Sequence, residues 1–338
     1  MTERHFVPSQ YHLDRMSKTR QELAWEGQKV GPWRRKLRAR LVKLMGGLDF
    51  ERAAPNLEEL EREETPAYVR RKVVFTSTPH ADVVCQVLVP KGLAGRAPAV
   101  VCLQGHSRGM YISLGDVRVE DDKETIAGDR DFAIQTVHNG YVSLAIEQRC
   151  FGERAETIQK QRNEHTCFDA SMHSLLLGDT MIGERVWDVM RAIDFLAKMP
   201  EVDPERIACL GNSGGGTITL FTAAVDPRVR LAVPSCYFCT FAASLMQIYH
   251  CADNYVPGIL KVAEMGDIAG LIAPRDLIVV AGEKDDIFPI AATRAAFAKA
   301  QAIYDAAGVP DRCQLVVGPE GHRFYAELAW PRIRAVLD

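Results

Sequence analysis

The sequence predicts an α/β fold: a mostly parallel central sheet with helices on both faces, preceded by an N-terminal helical extension. Three observations carry that prediction. Six short apolar runs, at residues 99–103, 142–146, 207–210, 229–233, 277–281 and 313–317, show no polar alternation, as expected of strands buried on both faces. Helical patterns separate several of them, most clearly at 183–199, 291–307 and 323–337, and that alternation builds parallel sheets. An alternating, β-branched pair at 71–76 and 83–89, joined at Pro79-His-Ala-Asp82, reads as an antiparallel hairpin leading into the sheet.

Residues 1–66 are charged and helical in pattern. Trp33, Leu37, Leu41 and Leu44 recur at spacings of three and four, with Arg34, Arg35, Lys36, Arg38, Arg40 and Lys43 between them. This is an amphipathic helix whose basic side reads as a solvated face in preference to a partner or membrane patch. An acidic run from Glu58 to Glu64 follows, and Pro66 marks the passage into strands. Residues 67–338 then read as one domain, with no internal repeat and no flexible linker. Two intervals, 148–183 and 236–275, are longer than a simple connection needs and leave the carboxyl ends of strands. They are candidate cap segments, because open α/β sheets bind ligands at that edge.

The run Arg206-Ile-Ala-Cys-Leu-Gly-Asn-Ser213-Gly-Gly-Gly-Thr-Ile-Thr-Leu-Phe221 carries the chemistry. A strand breaks at Gly211-Asn-Ser213-Gly-Gly215 and continues as a helix, which is the G-x-S-x-G nucleophile elbow. Glycine is needed on either side because neighbouring backbone passes too close for a side chain. A serine hydroxyl also needs a base, and the base needs an orienting acid. The order Ser, acid, His is met by Gly282-Glu-Lys-Asp285-Asp286-Ile-Phe-Pro289 and Gly318-Pro-Glu-Gly-His322, each just past the carboxyl end of a predicted strand. Asp285 and Asp286 compete for the acid role, and the spacing Gly282-x-x-Asp285-x-x-x-Pro289 favours Asp285. The oxyanion donors are the backbone N–H groups of Gly214, which follows the serine, and of His106, in the loop after the first central strand.

The remaining composition narrows the function. Across 338 residues, 47% are hydrophobic and the formal net charge is −3, which gives no sign of nucleic-acid binding. No run approaches the ~18 apolar residues of a membrane span, and the first residues lack a signal-peptide core. Nine scattered cysteines read as reduced residues of a cytoplasmic protein. Cys236, Cys239, His250 and Cys251 offer a ligand inventory for zinc, weighed against plain buried thiols, which are preferred because aromatic residues surround them. The expectation is no metal and no cofactor, a small-molecule ester as partner, no nucleic acid, no membrane, and a homo-oligomer left open.

The chain resembles the acetyl xylan esterase and dienelactone-hydrolase-like branch of the α/β-hydrolases from about Val69 to the C-terminus. The resemblance rests on Leu103-Gln-Gly-His-Ser-Arg-Gly109, Phe151-Gly-Glu-Arg154, Trp187-Asp188, Val202-Asp-Pro-Glu-Arg-Ile207, Gly211-Asn-Ser-Gly-Gly215, His250-Cys-Ala-Asp-Asn-Tyr-Val-Pro-Gly258 and Gly282-Glu-Lys-Asp285. Gln104 stands where histidine is usual, and Ser213 stands where true dienelactone hydrolases use cysteine. The resemblance implies an α/β-hydrolase fold and a serine esterase, a carboxylic ester hydrolase acting on acetyl-type esters, sugar esters among them. The alternatives are a serine exopeptidase or amidase on the same fold, and a catalytically idle binding protein. Pocket candidates are Gln104, Gly105, Arg149, Phe151, His250 and Tyr255. The aromatic content of the interval 236–275, with Tyr237, Phe238, Phe241, Met246, Tyr249 and Tyr255, leads to the expectation that its rings close over Ser213 and restrict the acyl group.

Overall fold

The computed structural model describes residues 6–156 and 167–338. Two helices come first, α1 (Pro8–Ser17) and α2 (Val30–Leu44), followed by the strands β1 (Glu58–Glu64), β2 (Tyr68–Thr78), β3 (Ala81–Pro90) and β4 (Ala97–Leu103). The short α3 (Asp121–Thr125) and α4 (Phe132–His138) lead to β5 (Val142–Ile146). Then come α5 (Phe168–Leu177), α6 (Met181–Leu196), β6 (Val202–Asn212), α7 (Gly214–Val225) and β7 (Val229–Ser235). The chain ends with α8 (Met265–Gly270), β8 (Asp276–Gly282), α9 (Ile290–Ala306), β9 (Cys313–Gly318) and α10 (Ala326–Leu337).

The nine strands form one sheet in the order β1-β2-β3-β5-β4-β6-β7-β8-β9. Pairings from β1 to β5 are antiparallel, and all pairings from β5 through β4 to β9 are parallel. Successive side chains on a strand point to opposite faces, and the core divides accordingly. Ala99, Val101 and Leu103 of β4 and Ile207 and Cys209 of β6 join the core on the face of α2, α6, α7, α8 and α9. Val100 and Cys102, with Ala208 and Leu210, join the opposite core beneath α4 and α10. Both faces are therefore apolar, which explains the unbroken hydrophobic runs.

The first 66 residues are not helical throughout. The acidic run is strand β1, fully exposed and paired antiparallel to β2. Glu59 and Glu61 lie 3.9 and 3.6 Å from Arg71 and Lys72 of β2, so cross-strand charge pairs support a sequence of poor strand propensity. Its charges also suit an edge strand, which must resist pairing with other chains.

The basic side of α2 is likewise not simply solvated. Trp33, Leu37 and Leu41 are buried in the main core. Arg38 donates to the carbonyls of Ala224 (2.9 Å) and Leu271 (3.1 Å), and Arg34 donates to Ala273 O. Arg275 donates to Ala223 O (2.6 Å) and Asp226 O (3.0 Å). Two guanidinium groups thus satisfy carbonyls at the carboxyl end of α7, where the helix dipole favours positive charge. Elsewhere Arg206 pairs with Asp203 at 2.7 Å. Asp188 is a buried hub receiving Ser77 Oγ, Arg149 and Arg154.

Candidate functional site

Ser213 sits between β6 and α7 with φ 56° and ψ −121°, a strained conformation for a residue with a side chain. The turn is held from both sides: Ser213 N–H donates to Ser235 O at 2.8 Å and Thr217 N–H donates to Ser213 O at 3.0 Å. A Cβ on Gly215 would overlap the carbonyl of Leu103, and one on Gly105 would come within 2.8 Å of Asn212 O. At these two positions the elbow and the loop after β4 pack with no room for a side chain. That contact requires these two glycines.

His322 lies in the loop after β9 and Asp285 in the loop after β8. Nδ1 of His322 is 2.8 Å from Asp285 Oδ2. Asp285 Oδ1 accepts from the backbone N–H of Ile287 (3.0 Å) and Phe288 (3.1 Å). Burial alone would raise the Asp285 pKa, yet the His322 hydrogen bond and charge, with the two backbone donors, hold it below the ordinary carboxylate value. Asp286, one residue on, is exposed. With Nδ1 engaged, His322 Nε2 is the nitrogen left to exchange a proton. The ring stacks near Phe288, with centroids 5.8 Å apart.

A cavity of about 210 Å³ brings together Gln104, Gly105, His106, Ser213 and His322, with Ile112, Phe132 and Ile287 as apolar walls. Here the loop after β4 is carried by buried charge. His106 Nε2 meets Asp253 at 3.0 and 3.1 Å, and Asp253 also pairs with Arg185 at 2.7 Å. Burial alone would lower the His106 pKa, but the Asp253 carboxylate raises it to about 9. Arg185 and His106 in turn hold Asp253 well below the usual range. The imidazole rests on Gly214, where an added Cβ would lie 2.8 Å from Nδ1. Behind the loop, buried Glu147 accepts from Gln104 Nε2 and from Met110 N–H, both at 2.9 Å. Burial pushes the Glu147 pKa up to about 7.

Four pocket candidates lie elsewhere. Arg149 faces Glu184 and Asp188 at 2.6 and 2.8 Å. Phe151 packs behind His106, 5.2 Å between ring centroids, and under the Arg185 guanidinium. His250 bonds Ser244 Oγ at 2.9 Å and packs on Phe288. Tyr255 lines a separate apolar groove beside α1. Nor do the rings of 236–275 close over the serine. Tyr237, Phe238 and Phe241 are buried in the main core, whereas Tyr249 is 74% exposed. Within the interval 148–183, residues 157–166 lie outside the described residues. Sequence reading missed Asp253, Arg185, Glu147 and the wall residues from 107–132. Of these, Glu147 carries a signal as a charge directly after the apolar run 142–146, and Asp253 lies inside the marker at 250–258.

Metal-ligating atoms gather in two places among the described residues: His106, Cys167, Cys251 and Asp253, and Cys236, Asp285 and His322. The set Cys236, Cys239, His250 and Cys251 is not one of them. In both clusters the donors are already engaged, Asp253 by His106 and Arg185 and Asp285 by His322. The Arg185 guanidinium also repels a cation beside Asp253. None of the nine cysteines is in a disulfide. No described helix is long and apolar enough to cross a membrane.

Comparison with known proteins places the chain in a family and a fold. Over 290 residues the chain is 27% identical to "Putative hydrolase YtaP" of Bacillus subtilis, covering 84% of this chain and 92% of that one. A 101-residue stretch, 28% of this chain and 23% of the other, is 34% identical to "Acetyl esterase Axe7A" of Xylanibacter ruminicola. The fold matches the crystal structure of a "putative acetyl xylan esterase" from Bacteroides fragilis with a TM-score of 0.84 at 17% identity, over 99% of this chain and 96% of that one. The model of the Abhydrolase family, Abhydrolase_7, matches residues 12–315. With its nine-stranded mixed sheet and helices on both faces, the chain belongs to the Abhydrolase family and has the α/β-hydrolase fold.

Proposed function

We propose that this protein is a serine esterase that hydrolyses short-acyl carboxylic esters through an acyl-enzyme. The observation that carries the reading is the opening of Ser213, in its strained turn, and His322, tethered to Asp285, onto one small cavity. Ser213 Oγ attacks the ester carbonyl while His322 Nε2 takes its proton. The same nitrogen then returns the proton to the departing alkoxide. Asp285, kept ionised, holds the ring in the tautomer that leaves Nε2 free and stabilises the imidazolium. The oxyanion is met by the backbone N–H groups of Gly214 and His106, with the positive end of α7 beneath it. Water, activated by His322, then attacks the acyl-enzyme and releases the acid.

Acetyl-type substrates are supported by the size of the cavity and by the partial identity to an acetyl esterase. Ile112, Phe132 and Ile287 bound the space, rather than the aromatic interval that the sequence suggested. The test is a series of p-nitrophenyl esters of increasing acyl length beside aminoacyl anilides, with wild type and Ser213→Ala. The expected result is a kcat/KM that is highest for acetyl or propionyl and falls beyond butyryl. Ser213→Ala should lower kcat by about 10⁶ while the protein stays folded. Substantial turnover by the folded variant would refute the nucleophile, a preference for anilides would make the enzyme an amidase, and an octanoyl optimum would refute the short-acyl reading.

A further inference from the structure

The cavity that holds Ser213 has an unbalanced charge. Among the described residues no aspartate or glutamate lines it, while Arg130 and His106 both do. His106 is answered by Asp253, but Arg130 is not answered in the same way. Its Nη2 donates to the carbonyl of His322, its Nε is buried without a hydrogen-bond partner, and among the described residues no carboxylate pairs with it. Neighbouring arginines on this edge are paired, Arg323 with Asp129 at 2.7 Å, Arg185 with Asp253 at 2.7 Å and Arg108 with Asp121 at 3.2 Å. Asp285 attracts Arg130 only at longer range and is already bound to His322. Glu124 is exposed in the adjoining cleft, to which Arg130 also contributes.

A guanidinium held partly out of water without a counter-charge is costly, and burial pulls its pKa down. Its planar fork is suited to a carboxylate, which can accept from two N–H groups at once. We infer that Arg130 is an anion subsite, and that the substrates this enzyme prefers are short esters carrying a free carboxylate within reach of the reacting carbonyl. This rests on the esterase reading of Ser213. The carboxylate can belong to the acyl part, as in a half-ester of a dicarboxylic acid, or to the alcohol. The neutral remainder of the substrate would lie against Ile112, Phe132 and Ile287.

The test compares matched substrates on wild type, Arg130→Gln and Arg130→Lys. p-Nitrophenyl hemisuccinate against p-nitrophenyl butyrate probes a carboxylate on the acyl side. para-Acetoxybenzoate against para-acetoxybenzamide probes one on the alcohol side. In at least one pair, the ratio of kcat/KM for the charged over the neutral ester should fall by about 30-fold in Arg130→Gln and recover partly in Arg130→Lys. The pair that responds identifies the side. A loss shared equally by charged and neutral esters in both pairs would mean that Arg130 only clamps the His322 loop, and the inference would be wrong. Thermal unfolding with added succinate separates this from the chemistry at Ser213. A melting temperature raised by succinate in wild type but not in Arg130→Gln keeps the subsite even if no ester is turned over. No succinate effect together with no ester turnover would overturn both readings.

Discussion

The His106–Asp253 pair makes a stability prediction with a definite sign. His106 is held at a pKa of about 9, above the ordinary 6.5 it has when unfolded. A raised folded-state value means the stabilisation is complete below about pH 6.5 and is lost as pH rises through about 9. At about 1.4 kcal/mol per tenfold change, the difference corresponds to about 3 kcal/mol. His106→Asn removes this contribution and leaves Asp253 paired with Arg185, so no buried carboxylate is orphaned. For a chain of this size, 3 kcal/mol amounts to about 5 °C in melting temperature. The assay is thermal unfolding of wild type and variant at pH 6 and pH 10. The lead of wild type over His106→Asn should be about 5 °C larger at pH 6, because titrations common to both proteins cancel. An equal lead at both pH values would mean that His106 is neutral when folded, and the reasoning would fail.

Three further outcomes follow from the site. Asp285→Asn should cost about 10⁴ in kcat by favouring the wrong His322 tautomer, while Asp286→Asn should cost less than about tenfold, and steady-state kinetics on both variants separates the two carboxylates. Gly215→Ala should abolish turnover and lower the melting temperature, since its methyl group overlaps the Leu103 carbonyl and such overpacking costs about 1–3 kcal/mol or more; a fully active variant would show that the elbow tolerates a side chain. Dialysis against a strong chelator should leave activity and melting temperature unchanged, and a drop reversed by zinc would mean that one of the two thiol-containing clusters binds metal after all.

The parallel half of the sheet was legible because both of its faces are apolar, so each strand announces itself as a run. Strand β1 was not, since Glu58–Glu64 has no apolar side and its charges are answered from elsewhere, by Arg71 and Lys72 on β2 and by Lys91. The Ser213 elbow was readable because steric necessity writes glycine on either side of it. Asp285 could be preferred over Asp286 from spacing, and the two differ in burial and in hydrogen bonding. The walls of the cavity could not be read. Ile112 and Phe132 come from a stretch of short helices after the motif that ends at Gly109, and Ile287 sits beside Asp285 with nothing in its neighbourhood to mark it as a wall. Tyr237, Phe238 and Phe241 misled because aromatic content alone does not say whether a ring faces the ligand edge or the core. Asp253 escaped notice because its partners His106 and Arg185 lie far away in sequence.

The arginines at the far end of α7 give the N-terminal segment an electrical part to play. The helix presents its positive end to Ser213, and a dipole has two ends. Arg38, from α2, and Arg275 neutralise the negative one at the carbonyls of Ala223, Ala224 and Asp226. Residues ahead of the first strand therefore hold the opposite pole of the helix that follows the Ser213 turn. Trimming the chain to its hydrolase-like sheet would strip one of the two guanidinium groups from that pole, and also the Trp33, Leu37 and Leu41 stripe that seats it. The carboxyl end of the helix that begins at Ser213 would then be held by Arg275 alone.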